Sequence, residues 1–203
     1  MKSAHALAGL AALLIAGLGQ AASITWTDTQ LGSGNPVASG GTTLTTSTSG
    51  GNIGFIPGSG GFAGLWLGGD NSSGRYSLGF SQNITSIEIE FDALSSVGTL
   101  PVETLFAWAT NLGAVTIGYT DQGGTTFDGT TVTSTANDGQ GTITFSGAAF
   151  SSFSFNHNQG AQSGFVIERI TVITDDGTVP EPGSLALAGL ALLGLAASRR
   201  RTA

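Results

Sequence analysis

Residues 85–91 read Thr-Ser-Ile-Glu-Ile-Glu-Phe, a strict alternation of polar and apolar side chains. Successive side chains of an extended strand point to opposite faces, so Ile87, Ile89 and Phe91 would share one face while serine and glutamates occupy the other. This period of two predicts a strand that is buried on one side only. Residues 114–120 repeat the pattern, with Val115, Ile117 and Tyr119 on the inward face.

Other segments have the same character. Residues 165–174 are the most apolar, and their inward set shifts phase at Glu168 and Arg169, which predicts a β-bulge or an edge-to-centre transition there. Further candidates are residues 143–145 and 153–155, with weaker ones at 24–27, 52–56, 62–67, 75–80 and 105–109. The interval 32–61 fits either long loops or a hairpin with weak edge strands.

Glycine pairs and Asp-Gly pairs separate these segments and supply the positive φ angles that tight hairpins need. No helical stripe of useful length occurs between residues 23 and 178. Nine or ten short strands in such a region predict an all-β, antiparallel two-sheet sandwich, and a jelly roll is the arrangement that we expect.

The two ends of the chain differ from this region. Lys2, the apolar stretch 7–18 and the small residues before Ser23 predict a signal peptide over 1–22, which leaves a domain at 23–178. At the other end Pro180-Glu181-Pro182 precedes an apolar run at 183–198, predicted to be helical, and then the basic residues Arg199, Arg200 and Arg201. The arginines would hold the end of this helix on the cytoplasmic side.

The order of these three pieces over 179–203 resembles the PEP-CTERM sorting signal of Gram-negative bacteria. The resemblance implies recognition by an exosortase, a membrane cysteine protease, with cleavage near Pro180-Glu181-Pro182. It further implies an inner-membrane intermediate held by the C-terminal helix, then delivery to the cell surface or the extracellular polysaccharide matrix. An ordinary tail anchor is the alternative, but the 16 apolar residues fall short of the roughly 17–25 that span a bilayer comfortably.

A second, shorter resemblance concerns the fold. Residues 164–172, Gly-Phe-Val-Ile-Glu-Arg-Ile-Thr-Val, are similar to the last strand of many exported jelly-roll modules. Glu168 and Arg169 stand where such modules have an acidic pair, so the resemblance implies the fold and no calcium site.

Charge restricts the partners. The region between residues 23 and 182 contains all 13 acidic residues of the chain but only two basic ones, Arg75 and Arg169. Its net charge is therefore −11. This surplus argues against nucleic acid and anionic lipid, and it favours neutral or calcium-bridged polysaccharides over acidic ones. The chain has no cysteine, so disulfides and thiolate metal sites are excluded. No cofactor is expected apart from calcium, for which Asp70, Asp138 and Asp175 lie in oxygen-rich turns, although aspartate is also a common turn former.

Catalytic residues are scarce. His157 is the one histidine between 23 and 178, and the polar residues around it predict an exposed turn. Glu88, Glu90, Asp92 and Glu103 could supply the two carboxylates of a glycoside hydrolase, but no motif pairs them. Trp26, Trp66 and Trp108 are candidates for stacking on sugar rings, with burial in the core as the alternative for each.

These features predict a non-catalytic, exported protein of the cell surface or extracellular matrix that associates with exopolysaccharide. The alternative is a secreted polysaccharide hydrolase. The first hypothesis requires only a stable exported domain and its sorting signal, whereas the second requires convergent carboxylates in a cleft.

Overall fold

A computed structural model describes residues 21–58, 62–69, 73–96, 98, 101–160 and 164–175. The predicted signal peptide up to residue 20, the candidate ligand Asp70 and everything from residue 176 onward lie outside the described residues, including the sorting motif, the helix at 183–198 and the three arginines. Among the described residues, no helix is both long enough and apolar enough to cross a membrane.

The described residues form thirteen strands and one helix of a single turn. The elements are β1 (Ser23–Trp26), α1 (Asp28–Leu31), β2 (Val37–Ser39), β3 (Thr42–Ser49), β4 (Ile53–Ile56), β5 (Gly64–Leu67), β6 (Gly74–Leu94), β7 (Thr104–Thr110), β8 (Gly113–Ala114), β9 (Gly118–Gly123), β10 (Thr125–Phe127), β11 (Val132–Ser134), β12 (Gly139–Asn158) and β13 (Phe165–Thr174). Every strand pairing among them is antiparallel. The predicted all-β class is therefore confirmed.

Two long strands organise the sheet, because β6 and β12 pair with each other along most of their length. The first part of β6 also pairs with β3, and the last part of β12 pairs with β7. The second part of β6 also pairs with β13, and the first part of β12 pairs with β9. We call these regions the β7 half (β2, β3, β7, β8, β10, β11, 74–80 and 152–158) and the β13 half (β1, β4, β5, β9, β13, 84–94 and 139–150).

The sheet curls so that its two halves share one core. Phe155 of the β7 half and Phe165 of the β13 half have ring centroids 6.3 Å apart. Trp26 of the β13 half similarly meets Phe80 of the β7 half at 6.1 Å. Aromatic contacts of this kind bury large apolar areas, which is the main source of stability for a domain without disulfides. The two layers of the predicted sandwich are thus one antiparallel sheet, continuous through β6 and β12.

The strand predicted at 85–91 is confirmed with its two faces. Ile87, Ile89 and Phe91 are buried, and Glu88 between them is exposed. The bulge predicted in β13 is also confirmed, since its register against β6 shifts between Ile167 and Arg169. The interval 32–61 contains the β2–β3 hairpin and β4, which agrees with the second of the two alternatives for that interval.

The single strand predicted at 114–120 is wrong. Strand β8 ends at Ala114 and pairs with β7, whereas β9 begins at Gly118 and pairs with β12. Between Ala114 and Gly118 the chain passes from the β7 half to the β13 half. The segment 114–120 therefore cannot pair along its whole length with one neighbouring strand. Ile117 nevertheless remains 5% exposed, as its inward position in the pattern predicts.

Residues Ala22–Asp175 form one compact unit. Its first and last strands are neighbours, because β1 pairs with the second part of β13. Next to this pairing, the backbone N–H of Thr174 donates to the carbonyl oxygen of Ala22 at 2.9 Å. The first and last residues of this unit therefore lie next to each other in the sheet.

Candidate functional site

The three tryptophans predicted to contact glycans differ in exposure. Trp26 is fully buried and its indole N–H donates to the carbonyl oxygen of Val37 at 3.2 Å. Trp108 is 4% exposed, and its indole N–H donates to Thr130 at 2.7 Å. These two rings lie in the core, which is the alternative stated for them. Trp66 in β5 is half-buried, so part of its ring remains accessible.

The candidate calcium ligands are not brought together in the described part of the chain. Asp138 lies exposed in the turn before β12, and Asp175 lies exposed after β13. No three His, Cys, Asp or Glu side chains of the described residues lie close enough together to hold a metal ion. A role for calcium therefore stays a prediction.

Two other aspartates organise turns through their own hydrogen bonds. Asp128 Oδ1 accepts from the backbone N–H groups of Thr130 and Thr131 at 2.8 and 2.7 Å, and these bonds lower the pKa of Asp128. Asp121 Oδ1 accepts from the Thr125 hydroxyl at 2.5 Å, which lowers the pKa of Asp121. Both carboxylates are thus already used in local structure, the common role of aspartate in a turn.

His157 does not lie in an exposed turn, and that prediction is wrong. Strand β12 continues to Asn158, so His157 keeps the inward phase of Phe153 and Phe155 and is 1% exposed. Its ring packs edge-on against Phe165 with centroids 5.0 Å apart.

A buried carboxylate lies beside this histidine. Glu103 is fully buried, and its Oε1 lies 3.4 Å from His157 Nε2. Glu103 Oε2 accepts from the backbone N–H of Ser95 at 2.6 Å, and Oε1 accepts from that of Gly164 at 2.8 Å. Through these two bonds the side chain links the chain at Ser95 and at Gly164 to the start of β7. A polysaccharide cannot reach it in this structure.

Within the described residues, Glu88, Glu90, Asp92 and Glu168 lie on the β13 half. Glu90 pairs with Arg169, whose Nη1 lies 2.7 Å from Oε1. The pKa of Glu168 at the bulge is raised, mainly by burial and then by the charges of Asp92, Asp28 and Glu90. The structure thus gathers two of the carboxylates considered for hydrolysis, Glu90 and Asp92, near Glu168, while Glu103 is enclosed.

A shallow depression of about 410 Å³ opens on the outer face of the β7 half. Its lining contains polar residues, one cation and one aromatic ring: Ser73, Gly74, Arg75, Phe106, Asn156, His157 and Asn158. Arg75 Nη1 donates to Asn156 Oδ1 at 3.2 Å, and Nη2 donates to Ser154 Oγ at 2.6 Å. These bonds hold the guanidinium of Arg75, in β6, against β12. Asn156 of β12 stands opposite Phe106 of β7, so Arg75, Asn156 and Phe106 form one row across three neighbouring strands.

A bulge in β7 places Phe106 in this depression. The register between β12 and β7 shifts between Ser154 and Asn156, and Ala107 has φ 56°, a strained value for alanine. As a result Phe106, and not Ala107, stands directly opposite Asn156. Bulges often re-aim a side chain at functional sites, so this one marks the depression as the candidate site.

The rest of this outer face carries small hydroxyl side chains. Successive lateral rows across β3, β6 and β12 contain Ser49 with Arg75 and Asn156, and then Ser47 with Ser77 and Ser154. Most of these side chains are exposed or half-buried. The face is therefore rich in hydrogen-bonding groups and low in charge.

The described residues thus form an all-β domain with a polar depression on one outer face. Residues 178–201 match the family model of the PEP-CTERM protein-sorting motif. This match implies an exported protein that passes via the membrane to the cell surface and is processed by an exosortase. No curated protein matches the chain. No solved structure matches it either.

Sequence reasoning missed both the enclosed Glu103–His157 pair and the depression at Arg75. One signal for the depression was available, because Arg75 is one of two basic residues between 23 and 182 and lies in a strand. The contribution of Phe106 had no such signal, since it depends on the bulge at Ala107.

Proposed function

We propose that this protein is a non-catalytic component of the cell surface or extracellular matrix that binds exopolysaccharide through the outer face of its β7 half. The observation that carries the proposal is the depression where Arg75, Asn156 and Phe106 meet. An aromatic ring beside a few fixed polar groups is the usual composition of a small-molecule site, and the hydroxyl rows around it extend the contact for a polymer.

The sorting motif supports the same proposal from the other end of the chain. A protein delivered to the cell surface meets polysaccharide at high local concentration, so even a weak site is occupied there. The hydrolase remains a second proposal, supported by the raised pKa of Glu168 near Asp92 and Glu90. A general acid in glycoside hydrolysis needs such a raised pKa and a second carboxylate within reach.

Co-sedimentation of the processed protein with polysaccharides extracted from the producing cells tests the proposal, with reducing ends measured in the same tubes. We expect the protein to pellet with the polymer and the number of reducing ends to stay constant. Steady release of reducing ends, abolished by Glu168→Gln but not by Glu88→Gln, would instead establish the hydrolase.

A further inference from the structure

We propose that the depression at Arg75 is a subsite for a carboxylate-bearing sugar unit, such as a uronate, within the bound polysaccharide. This inference rests on the proposed function and specifies its ligand.

The two arginines of the described residues differ in how their charges are paired. Arg75 and Arg169 are the two basic residues in the described part of the chain. Arg169 donates to both carboxylate oxygens of Glu90, at 2.7 and 2.9 Å. The hydrogen bonds of Arg75 go instead to the neutral oxygens of Asn156 and Ser154. Within the described residues, the charge of Arg75 is thus not neutralised by a carboxylate.

The depression also retains hydrogen-bond donors that the described residues do not use. A guanidinium has five N–H donors, and Arg75 uses two of its nitrogens in the bonds above. Asn158 Oδ1 accepts from the Ser73 hydroxyl and from the backbone N–H of Gly160, both at 3.2 Å. The amide oxygens of Asn156 and Asn158 are therefore engaged, while their amide N–H groups have no hydrogen-bond partner among the described residues.

Among the described side chains of the site, more donor than acceptor capacity thus remains, with a positive charge at its centre. A ligand that fits must bring acceptors and negative charge. A carboxylate offers about four lone-pair positions and can accept from a guanidinium and an amide at once. A neutral sugar hydroxyl both donates and accepts, so it would leave most of this donor capacity unused.

Phe106 gives the depression an apolar surface for a sugar ring. Phe106 lines the depression beside the polar groups and is half-buried, so it offers part of an aromatic face. One side of a pyranose ring is apolar and packs on such a face. The volume of about 410 Å³ lies within the roughly 300–1,000 Å³ of small-molecule sites.

The acidic surplus of the domain does not prevent this binding. At physiological ionic strength, charges are screened beyond about 8 Å, so the residues at the site decide the local potential. None of the seven residues that line the depression is acidic. The preference for neutral or calcium-bridged polymers, inferred from net charge alone, is therefore reversed at this position.

The test compares two polymers with the same backbone, polygalacturonate and its fully methyl-esterified form, in affinity gels run with the processed protein. Alginate serves as a second uronate polymer. We expect the acid forms to bind more tightly than the ester. Because a hydrogen bond to a charged group is worth more than a neutral one, Arg75→Gln should weaken binding of the acid form about tenfold and leave the ester almost unaffected.

Arg169→Gln is the matched control, because it removes the same charge from the domain but from the pair with Glu90, and it should not change binding. Phe106→Leu should weaken both forms of the polymer by a similar factor, since ring stacking does not depend on the carboxylate. Far-UV circular dichroism confirms that each variant is folded.

Equal affinity for acid and ester, or equal loss in Arg75→Gln and Arg169→Gln, would overturn this subsite and leave the proposed function intact. Failure to bind these polymers and a panel of neutral polysaccharides would overturn both.

Discussion

At the scale of single residues, the buried carboxylate of Glu103 is the most consequential side chain that the structure reveals. Its two oxygens accept from Ser95 and Gly164, which lie on either side of β7 in the sequence. A buried carboxylate is costly unless it is fully hydrogen-bonded, so these two donors are what makes the position tolerable. The depression at Arg75 lies above this layer, with His157 belonging to both.

Removing this carboxylate should destabilise the domain strongly. Glu103→Ala leaves two buried N–H groups without an acceptor and creates a cavity, so we expect a loss of about 3–5 kcal/mol in the free energy of unfolding. Glu103→Gln keeps one acceptor oxygen and should cost less. Urea unfolding followed by circular dichroism measures both changes.

The control is Glu88→Ala, which removes an exposed glutamate and should change stability by no more than about 0.5 kcal/mol. A loss in Glu103→Ala as small as in this control would show that the buried hydrogen bonds do not hold the loops.

At the scale of elements, the alternation in β6 predicted its two faces correctly, and a bulge in β7 shapes the candidate site. The pattern of β6 places Ile89 inside and Glu88 outside, as the sequence indicates. In β7 simple alternation would put Phe106 and Trp108 on one face. The bulge at Ala107 separates them, so that Leu105 and Trp108 are buried while Phe106 lines the outer depression.

Paired substitutions on β6 test the register. Ile89→Asp places an unpaired charge at a position that is 1% exposed, and we expect it to cost several kcal/mol or to prevent folding. Glu88→Gln on the opposite face should be nearly silent. Thermal melts of the two variants measure the difference, and similar melting temperatures would contradict the register shown here.

At the scale of the whole molecule, β6 and β12 run through both halves of the sheet, so neither half has a core of its own. The unit from Ala22 to Asp175 closes where β1 meets β13. The chain then reaches the sorting motif at residue 178, three residues after this unit ends. The folded domain and the sorting motif are therefore consecutive parts of the sequence that do not overlap.

Replacing Pro180-Glu181-Pro182 with three alanines should block processing without impairing export. A larger, membrane-bound form should accumulate in a host that contains an exosortase, detected by immunoblotting of membrane and extracellular fractions. Asp176→Asn, which lies before the matched motif, is the control and should be processed normally. Unchanged mass and location of the triple variant would contradict a role of this triplet in sorting.

The sequence by itself determined the features that a few consecutive residues encode. These are the all-β class, the inward faces of β6 and β13, the bulge at Glu168 and the sorting motif, because side-chain period and motif order are local properties. Only the tertiary structure decided which distant residues meet. Arg75 and Asn156 are 81 positions apart, and the ladder between β6 and β12 brings them together.

Contacts between distant parts of the sequence also decide the burial of His157 and the exposure of Phe106. The burial of His157 depends on how far β12 extends and on Phe165 of the opposite half. The exposure of Phe106 depends on one extra residue in β7 opposite β12. Register between strands distant in sequence is set by the packing of the whole core, and a local pattern does not contain that information.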